Sequence, residues 1–238
     1  MADADSQADD GIIQVMSDRL ANQIAAGEVV QRPASVAKEL LENALDAGAS
    51  SLEVIAKDAG STLVQVIDDG CGMSPADATR CFERHATSKV RAIEDLERVR
   101  TLGFRGEALA SIAAVSQVEL KTKRVEDDAG TLVRVKGSEI VEQRPCAAPN
   151  GTSVAVQNLF FNVPARRNFL KTPATELKHL SDTVQALALA NPRVAVRMEH
   201  DGHEHYDLAA ARSEDWHEAM RTRVLGLFGS EHEDELVA

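Results

Sequence analysis

The chain has 238 residues, 44% of them hydrophobic, with a formal net charge of −12. That suffices for one sizeable core and the beginning of a second, while the three cysteines, Cys71, Cys81 and Cys146, form no C-x-x-C pair, which argues against a disulfide framework or zinc ribbon and for a reducing compartment. No apolar run approaches the ~18 residues of a bilayer span, and the opening MADADSQADD is the reverse of a basic, apolar signal peptide, so a cytoplasmic location with no membrane partner is expected.

The acidic excess sits at the two ends. Residues 1–12 hold four acids and no base, and 199–238 hold eleven acids against Arg212, Arg221 and Arg223, whereas 13–198 balance at 23 acids and 23 bases. The body can therefore still carry basic patches that meet phosphate, and 1–12 reads as a disordered acidic tail.

In chain order, 12–15 reads as a short strand or arm, and Ser17 with Asp18 offers a cap for an apolar-periodic helix running to Val30. Arg32-Pro33 breaks it, and a second helix from about Ala34 ends at Gly48 behind the apolar positions Ala37, Leu40, Leu41, Ala44 and Leu45. The runs 51–56 and 63–68 read as a hairpin across Asp58-Ala59-Gly60-Ser61. A helix near 76–84 precedes a loop-rich tract, 85–106, long enough to serve as a lid. Another helix fits 107–115, and strands at 118–123, 131–135, 139–144 and 152–156 suggest a meander. A helix over 175–190 is stopped by Asn191-Pro192, 194–199 pairs with 204–208 across Asp201-Gly202, and 214–227 is an amphipathic helix.

On the second helix Arg32, Ser35, Glu39, Asn43 and Asp46 share one polar stripe opposite the apolar positions. A carboxylate and an amide oxygen one turn apart suit a base and a Mg²⁺ ligand aimed at one site, although periodicity alone equally describes a solvated face. Strand alternation puts Asp68 on the face of Val64 and Val66; if that face is buried, the carboxylate needs a hydrogen-bond donor such as a base's amino group. An Asx turn at the strand end is the plain alternative. Gly70 and Gly72 permit positive φ and close approach, and Gly103 and Gly106 precede a helix start whose free N–H groups favour phosphate. No G-x-x-x-x-G-K-[ST] and no G-x-G-x-x-G occurs, 68–73 lacks EF-hand spacing, and His200, His203 and His205 read as surface histidines.

Taken in order, LANQIAAGEVVQRPASVAKELLENALDAGA (20–49), DDGCGM (68–73), RHATSK (84–89), LGFRGEALASI (102–112) and LFFNVPARRNFLK (159–171) closely resemble the MutL family of DNA mismatch-repair ATPases. The resemblance spans about 13–208; GFRGEAL is nearly specific to that family, whereas E-x-x-x-N with D-x-G-x-G marks the wider gyrase, heat-shock chaperone, histidine kinase and MutL group. It implies an α+β fold, a two-layer α/β sandwich of the Bergerat ATPase type, with helices on one face of a mixed, mostly antiparallel sheet.

By that resemblance Glu39 is the general base, Asn43 the Mg²⁺ ligand and Asp68 the partner of the adenine amino group, with Gly70 and Gly72 in the pocket wall and Thr152 near the base. Thr87, Ser88 and Lys89 belong to the lid; Gly103, Phe104, Arg105, Gly106, Glu107, Ala108 and Leu109 wrap the phosphates; Arg166, Arg167 and Lys171 are candidate DNA contacts. Two positions depart from the family pattern: Asp69 where Asn is common, with a charge expected to alter the pocket, and Asn168 where a basic residue is usual. The implied function is an ATP-binding, ATP-hydrolysing mismatch-repair protein that homodimerises through its N-terminal region on binding ATP and couples a MutS-like mismatch-recognition protein to strand excision on DNA. The alternative is an ATP- and DNA-binding module without hydrolysis. Residues 209–238 resemble the opening of a second, transducer-like domain, which makes the chain resemble a truncated form with weak turnover, and Leu225, Leu227 and Phe228 there have no evident partner.

Overall fold

A computed structural model describes residues 12–90, 94–95 and 101–235. The acidic tail lies almost wholly outside them, as does part of the expected lid. Helices α1 (Asp18–Val29) and α2 (Pro33–Asp46) precede the hairpin of β1 (Ser51–Lys57) and β2 (Leu63–Asp68). Then come α3 (Asp77–Arg80), α4 (Ala108–Val115), β3 (Gln117–Lys123), β4 (Gly130–Lys136), β5 (Glu139–Cys146) and β6 (Gly151–Gln157). The chain continues through α5 (Pro164–Phe169), α6 (Pro173–Ala190), β7 (Ala195–His200), β8 (His203–Leu208) and α7 (Trp216–Phe228).

The eight strands form one sheet in the order β5-β4-β3-β6-β2-β1-β7-β8. Every pairing is antiparallel except β1 with β7, so the sheet is mixed and mostly antiparallel, as expected. Cross-strand register stacks Val54, Val66, Val154, Leu120 and Val133 in one row. These residues are buried, and α1, α2, α4 and α6 cover that face. The opposite face carries ion pairs such as Arg134–Glu119 and Arg197–Glu53.

Three local expectations change, and one boundary moves by a residue. Residues 12–15 form no strand: Ile12 and Val15 are fully exposed. The break at Arg32-Pro33 is present as expected, with α1 ending at Val29, but Pro33 itself belongs to the second helix, which starts one residue earlier than expected, its fixed φ and missing N–H suiting the first turn. The helix near 76–84 shrinks to Asp77–Arg80, because Phe82 and Glu83 switch to i−3 hydrogen bonds and His85 turns to positive φ. The four-strand meander stops after three. β6 leaves it to lie between β3 and β2, where Val154, Ala155 and Val156 are all buried, while β5 stays exposed at the edge.

α2 has no side-chain cap at Arg32, a feature worth about 0.5–2 kcal/mol. Burying Val36 and Leu41 completely contributes about 1.5–3 kcal/mol each, so packing rather than capping fixes this helix and the direction of its polar stripe. Near the C-terminus, α7 lies on α6 and β8, and of the three residues expected to lack partners Leu225 and Leu227 are half buried while Phe228 is exposed. Its Arg223 is 2% exposed and donates through Nη2 to the carbonyls of Pro192 (2.9 Å), Val194 (2.5 Å) and Ala209 (3.3 Å). Burial without a carboxylate partner pulls the guanidinium pKa below its usual range. Arg223→Ala should remove the buried donor shared by these three carbonyls, of which that of Pro192 also accepts from the Ala211 amide, and cost about 2–3 kcal/mol, read as a melting temperature lower by roughly 5–10 °C. An unchanged transition would mean that α7 does not hold this position in solution.

Candidate functional site

The polar stripe of α2 is where both ends of the lid tract meet the helix. Glu39, half buried, has its carboxyl raised above the ordinary range by burial, with Lys38 opposing and Glu42 reinforcing. One turn on, Asn43 Oδ1 accepts from Lys89 Nζ at 3.1 Å, and the same ammonium lies 2.6 Å from Asp46 Oδ2. Asp46 also accepts from the amides of Leu102 (2.9 Å) and Gly103 (3.1 Å). Burial alone would raise this carboxyl, but Lys89 and the two amides outweigh it and hold it low. Asp46 thus ties both ends of the lid tract to α2, a role its place on the stripe did not reveal. Arg32, by contrast, turns from the stripe toward Glu176 of α6, 3.9 Å away.

Asp68 closes β2 on the covered face, in register with Thr152 of β6. Burial raises its carboxyl, opposed by hydrogen bonds from the amides of Gly70 (2.9 Å) and Thr152, while neighbouring Asp69 raises it further. Gly72 has positive φ, and a Cβ there would overlap the Lys123 carbonyl; Gly70 has no positive φ but presses on Ala47, 2.9 Å from a built Cβ. Cys71 N–H donates to the Ala47 carbonyl at 3.0 Å, which joins this turn to the end of α2. The charge of Asp69 does not enter as a ligand group. Its carboxylate accepts from Ser50 N (2.7 Å), Ser50 Oγ (2.5 Å) and Ser51 N (2.9 Å), fastening β2 to the start of β1.

In the lid, Thr87 Oγ1 accepts from Lys89 N at 3.2 Å and Ser88 is exposed. His85 N donates to Gly106 O (2.9 Å), and Arg84 approaches Glu107 at 3.6 Å, so the 84–89 and 103–107 stretches lie side by side. Arg105 sits over the Phe104 ring. Gly103 borders Asn43, but its amide is committed to Asp46. The start of α4, with Ala108 and Leu109 in its first turn, has no side-chain cap, and its N–H groups are suited to an anion.

The basic candidates separate. Arg166 lays its guanidinium on α1, donating to Ile24 O at 3.3 Å and packing where Gly27 lacks a side chain. Arg167 and Lys171 are exposed, and α5, which carries Arg166 and Arg167, was not foreseen because six residues are too few for a periodic signal. An open concavity lined by Asp128, Gly130, Pro145 and Ala148 lies at the far edge of the sheet and gathers none of the candidate residues.

Residues 31–157 match the family described as histidine kinase-, DNA gyrase B-, and HSP90-like ATPases. That stretch contains α2, Asp68, the lid and Thr152. The chain belongs to this family, in its MutL branch. It is 52% identical to the DNA mismatch repair protein MutL of Christiangramia forsetii over 95% of its own length and 36% of that protein, and 54% identical to that of Flavobacterium johnsoniae over 95% and 34%. The chain therefore spans about a third of the length of these relatives. Among solved structures it resembles the Aquifex aeolicus MutL ATPase domain complexed with ADP, with a TM-score of 0.66 and 32% identity over 84% of this chain and 70% of that one. No helix among the described residues is long and apolar enough to cross a membrane.

Proposed function

We propose that this chain binds and hydrolyses ATP with Mg²⁺ and serves as the nucleotide-driven region of a mismatch-repair protein. The observation that carries this reading is that the turn after Asp68 reaches the end of α2 at Ala47, while Lys89 and Gly103 from the two ends of the lid tract meet the same helix at Asn43 and Asp46. Family membership and the ADP complex of the Aquifex aeolicus relative support it. DNA, a MutS-like mismatch-recognition protein and a second copy joined on ATP binding are the partners this reading implies, in the cytoplasm, with strand excision downstream.

In this reading Asp68, held by two amides, takes the adenine amino group, with Gly70, Gly72 and Thr152 around it. Asn43 would hold Mg²⁺. The fit rests on its Oδ1 already accepting an ammonium, and on Mg²⁺ needing only one or two protein oxygens beside those of a nucleotide. Bound there, the ion would neutralise charge on the phosphates. The N–H groups at the start of α4 do the same from the protein side. Glu39, one turn from Asn43, orients a water and takes its proton, a task suited to a carboxyl raised by burial. Lys89, with Thr87 and Ser88, would move with the lid, since its ammonium and Mg²⁺ claim the same oxygen.

Calorimetric titration with a non-hydrolysable ATP analogue and Mg²⁺ tests the proposal. The wild type is expected to bind, Asp68→Asn to lose at least tenfold in affinity, and Asn43→Ala to lose the Mg²⁺-dependent part. The pH linkage makes Asp68→Asn a clean variant. A folded-state pKa above the unfolded one favours folding fully below the unfolded pKa, and this contribution is lost as pH rises through the folded pKa. The ionised Asp68 is therefore a strained group at neutral pH, and its amide should fold at least as stably. No binding by a folded wild type would overturn the proposal.

A further inference from the structure

Behind the proposed base pocket lies a hydroxyl to which no role has been given. Thr122 sits on β3 in register with Thr152 of β6, on the covered face of the sheet, and is 1% exposed. Its Oγ1 makes three contacts: Met73 N at 2.9 Å, Gly151 O at 3.1 Å and Thr152 Oγ1 at 3.0 Å. These join the turn after Asp68, the first residue of β6 and the side chain beside Asp68.

A threonine hydroxyl has one proton and two lone pairs. An amide N–H can only donate, so one lone pair belongs to Met73. A carbonyl can only accept, so the proton belongs to Gly151. The remaining lone pair must then receive the proton of Thr152. This is the one assignment that satisfies all three contacts, and it commits the Thr152 proton inward, leaving the Thr152 oxygen to present lone pairs only.

We infer that Thr122 is a specificity-positioning residue, which fixes the Thr152 hydroxyl as a hydrogen-bond acceptor beside the Asp68 carboxylate and so selects a purine edge bearing an amino group over one bearing a carbonyl oxygen. Asp68 is already tied to the amides of Gly70 and Thr152, and its remaining lone pairs, like those of the Thr152 oxygen, can only accept. An adenine amino group supplies two protons to such a pair. A 6-oxo purine supplies lone pairs against lone pairs and leaves them desolvated without a partner, the arrangement that gives strong discrimination. The inference rests on the nucleotide reading proposed above.

The test compares ADP with IDP, which differ at the 6-position, by calorimetry with Mg²⁺, so that hydrolysis plays no part. The wild type is expected to prefer ADP by more than tenfold. Thr122→Val keeps the shape but frees the Thr152 hydroxyl to rotate and donate; the ADP-to-IDP ratio should shrink at least fivefold, and Thr122→Ser should restore it. A merely structural role would weaken both ligands alike, so an unchanged ratio in a folded Thr122→Val overturns the inference. Should that variant fail to fold, Thr152→Val, at a half-exposed position, removes the same acceptor, and an unchanged ratio there is equally decisive. Equal binding of ADP and IDP by the wild type overturns the inference while leaving the nucleotide site standing; binding of neither removes the site itself.

Discussion

Glu39→Ala is expected to lower ATP turnover by about 10²- to 10⁴-fold while leaving affinity for a non-hydrolysable analogue within about twofold. The carboxylate lies one helical turn from Asn43 on the same stripe and, among the described residues, meets only the neighbouring Lys38 ammonium at 3.9 Å and makes no hydrogen bond that would tie it to the fold, so its removal takes away proton transfer rather than binding. Its pKa is raised chiefly by burial. The base is therefore lost to protonation at a higher pH than an ordinary glutamate, and the acid limb of the rate–pH profile should lie above the usual carboxylate range and vanish in Glu39→Gln. The sign for stability is opposite to that of a salt-bridged carboxylate: a raised folded-state pKa gives a contribution present below the unfolded pKa and lost as pH rises through the folded one. Neither variant should unfold more readily at neutral pH. Single-turnover hydrolysis alongside calorimetry checks all of this, and retained turnover would remove Glu39 from the role of base.

The site divides into a part that local pattern encodes and a part it does not. Spacing along α2 put Glu39, Asn43 and Asp46 on one stripe, and strand alternation put Asp68 on the covered face, because side-chain direction follows from a period of 3.6 or 2. What each side chain meets depends on chain that is distant in sequence. Asp46 is read as a lid anchor only once Lys89, Leu102 and Gly103 are seen on it. Arg166, a candidate DNA contact by resemblance, lays its guanidinium on α1 through Ile24 and Gly27, a contact that its place in the sequence did not reveal. Asp69, whose charge was expected to alter the pocket, does raise the Asp68 carboxyl, and it also ties β1 to β2, which its position in the sequence did not reveal.

Topology shows the same limit. Alternation identified β6 as a strand and gave its covered face, yet carries no information on which strands flank it, and succession suggested β5. Burial on both faces at Ala155 is the clue to a central position, but one small residue among alternating ones is a weak signal. The placement matters for function, since it is the pairing of β6 with β2 that sets Thr152 beside Asp68, and its pairing with β3 that sets Thr122 behind both.

Gly151→Ala should therefore do more harm than its size suggests. Gly151 opens β6 at φ +106°, and a Cβ there would overlap the carbonyl oxygen of Asp68, a backbone atom that cannot swing aside. Positive φ alone costs a non-glycine residue about 1–2 kcal/mol. Relieving the overlap must then pull β6 from β2 at the point where Thr152 pairs with Asp68 and where Thr122 holds the Gly151 carbonyl. A loss of about 3–4 kcal/mol and a melting temperature lower by roughly 8–12 °C are expected, with nucleotide affinity reduced at least tenfold even at temperatures where the variant is folded. Gly202→Ala supplies the control, since that glycine has φ +81° in the β7–β8 turn with nothing within 4 Å of a built Cβ. It should show only the conformational cost and bind nucleotide normally. If the two variants lose the same stability and both bind, close packing of β6 against Asp68 is not what shapes the pocket; if only Gly151→Ala loses binding, the start of β6 and the base site are one mechanical unit.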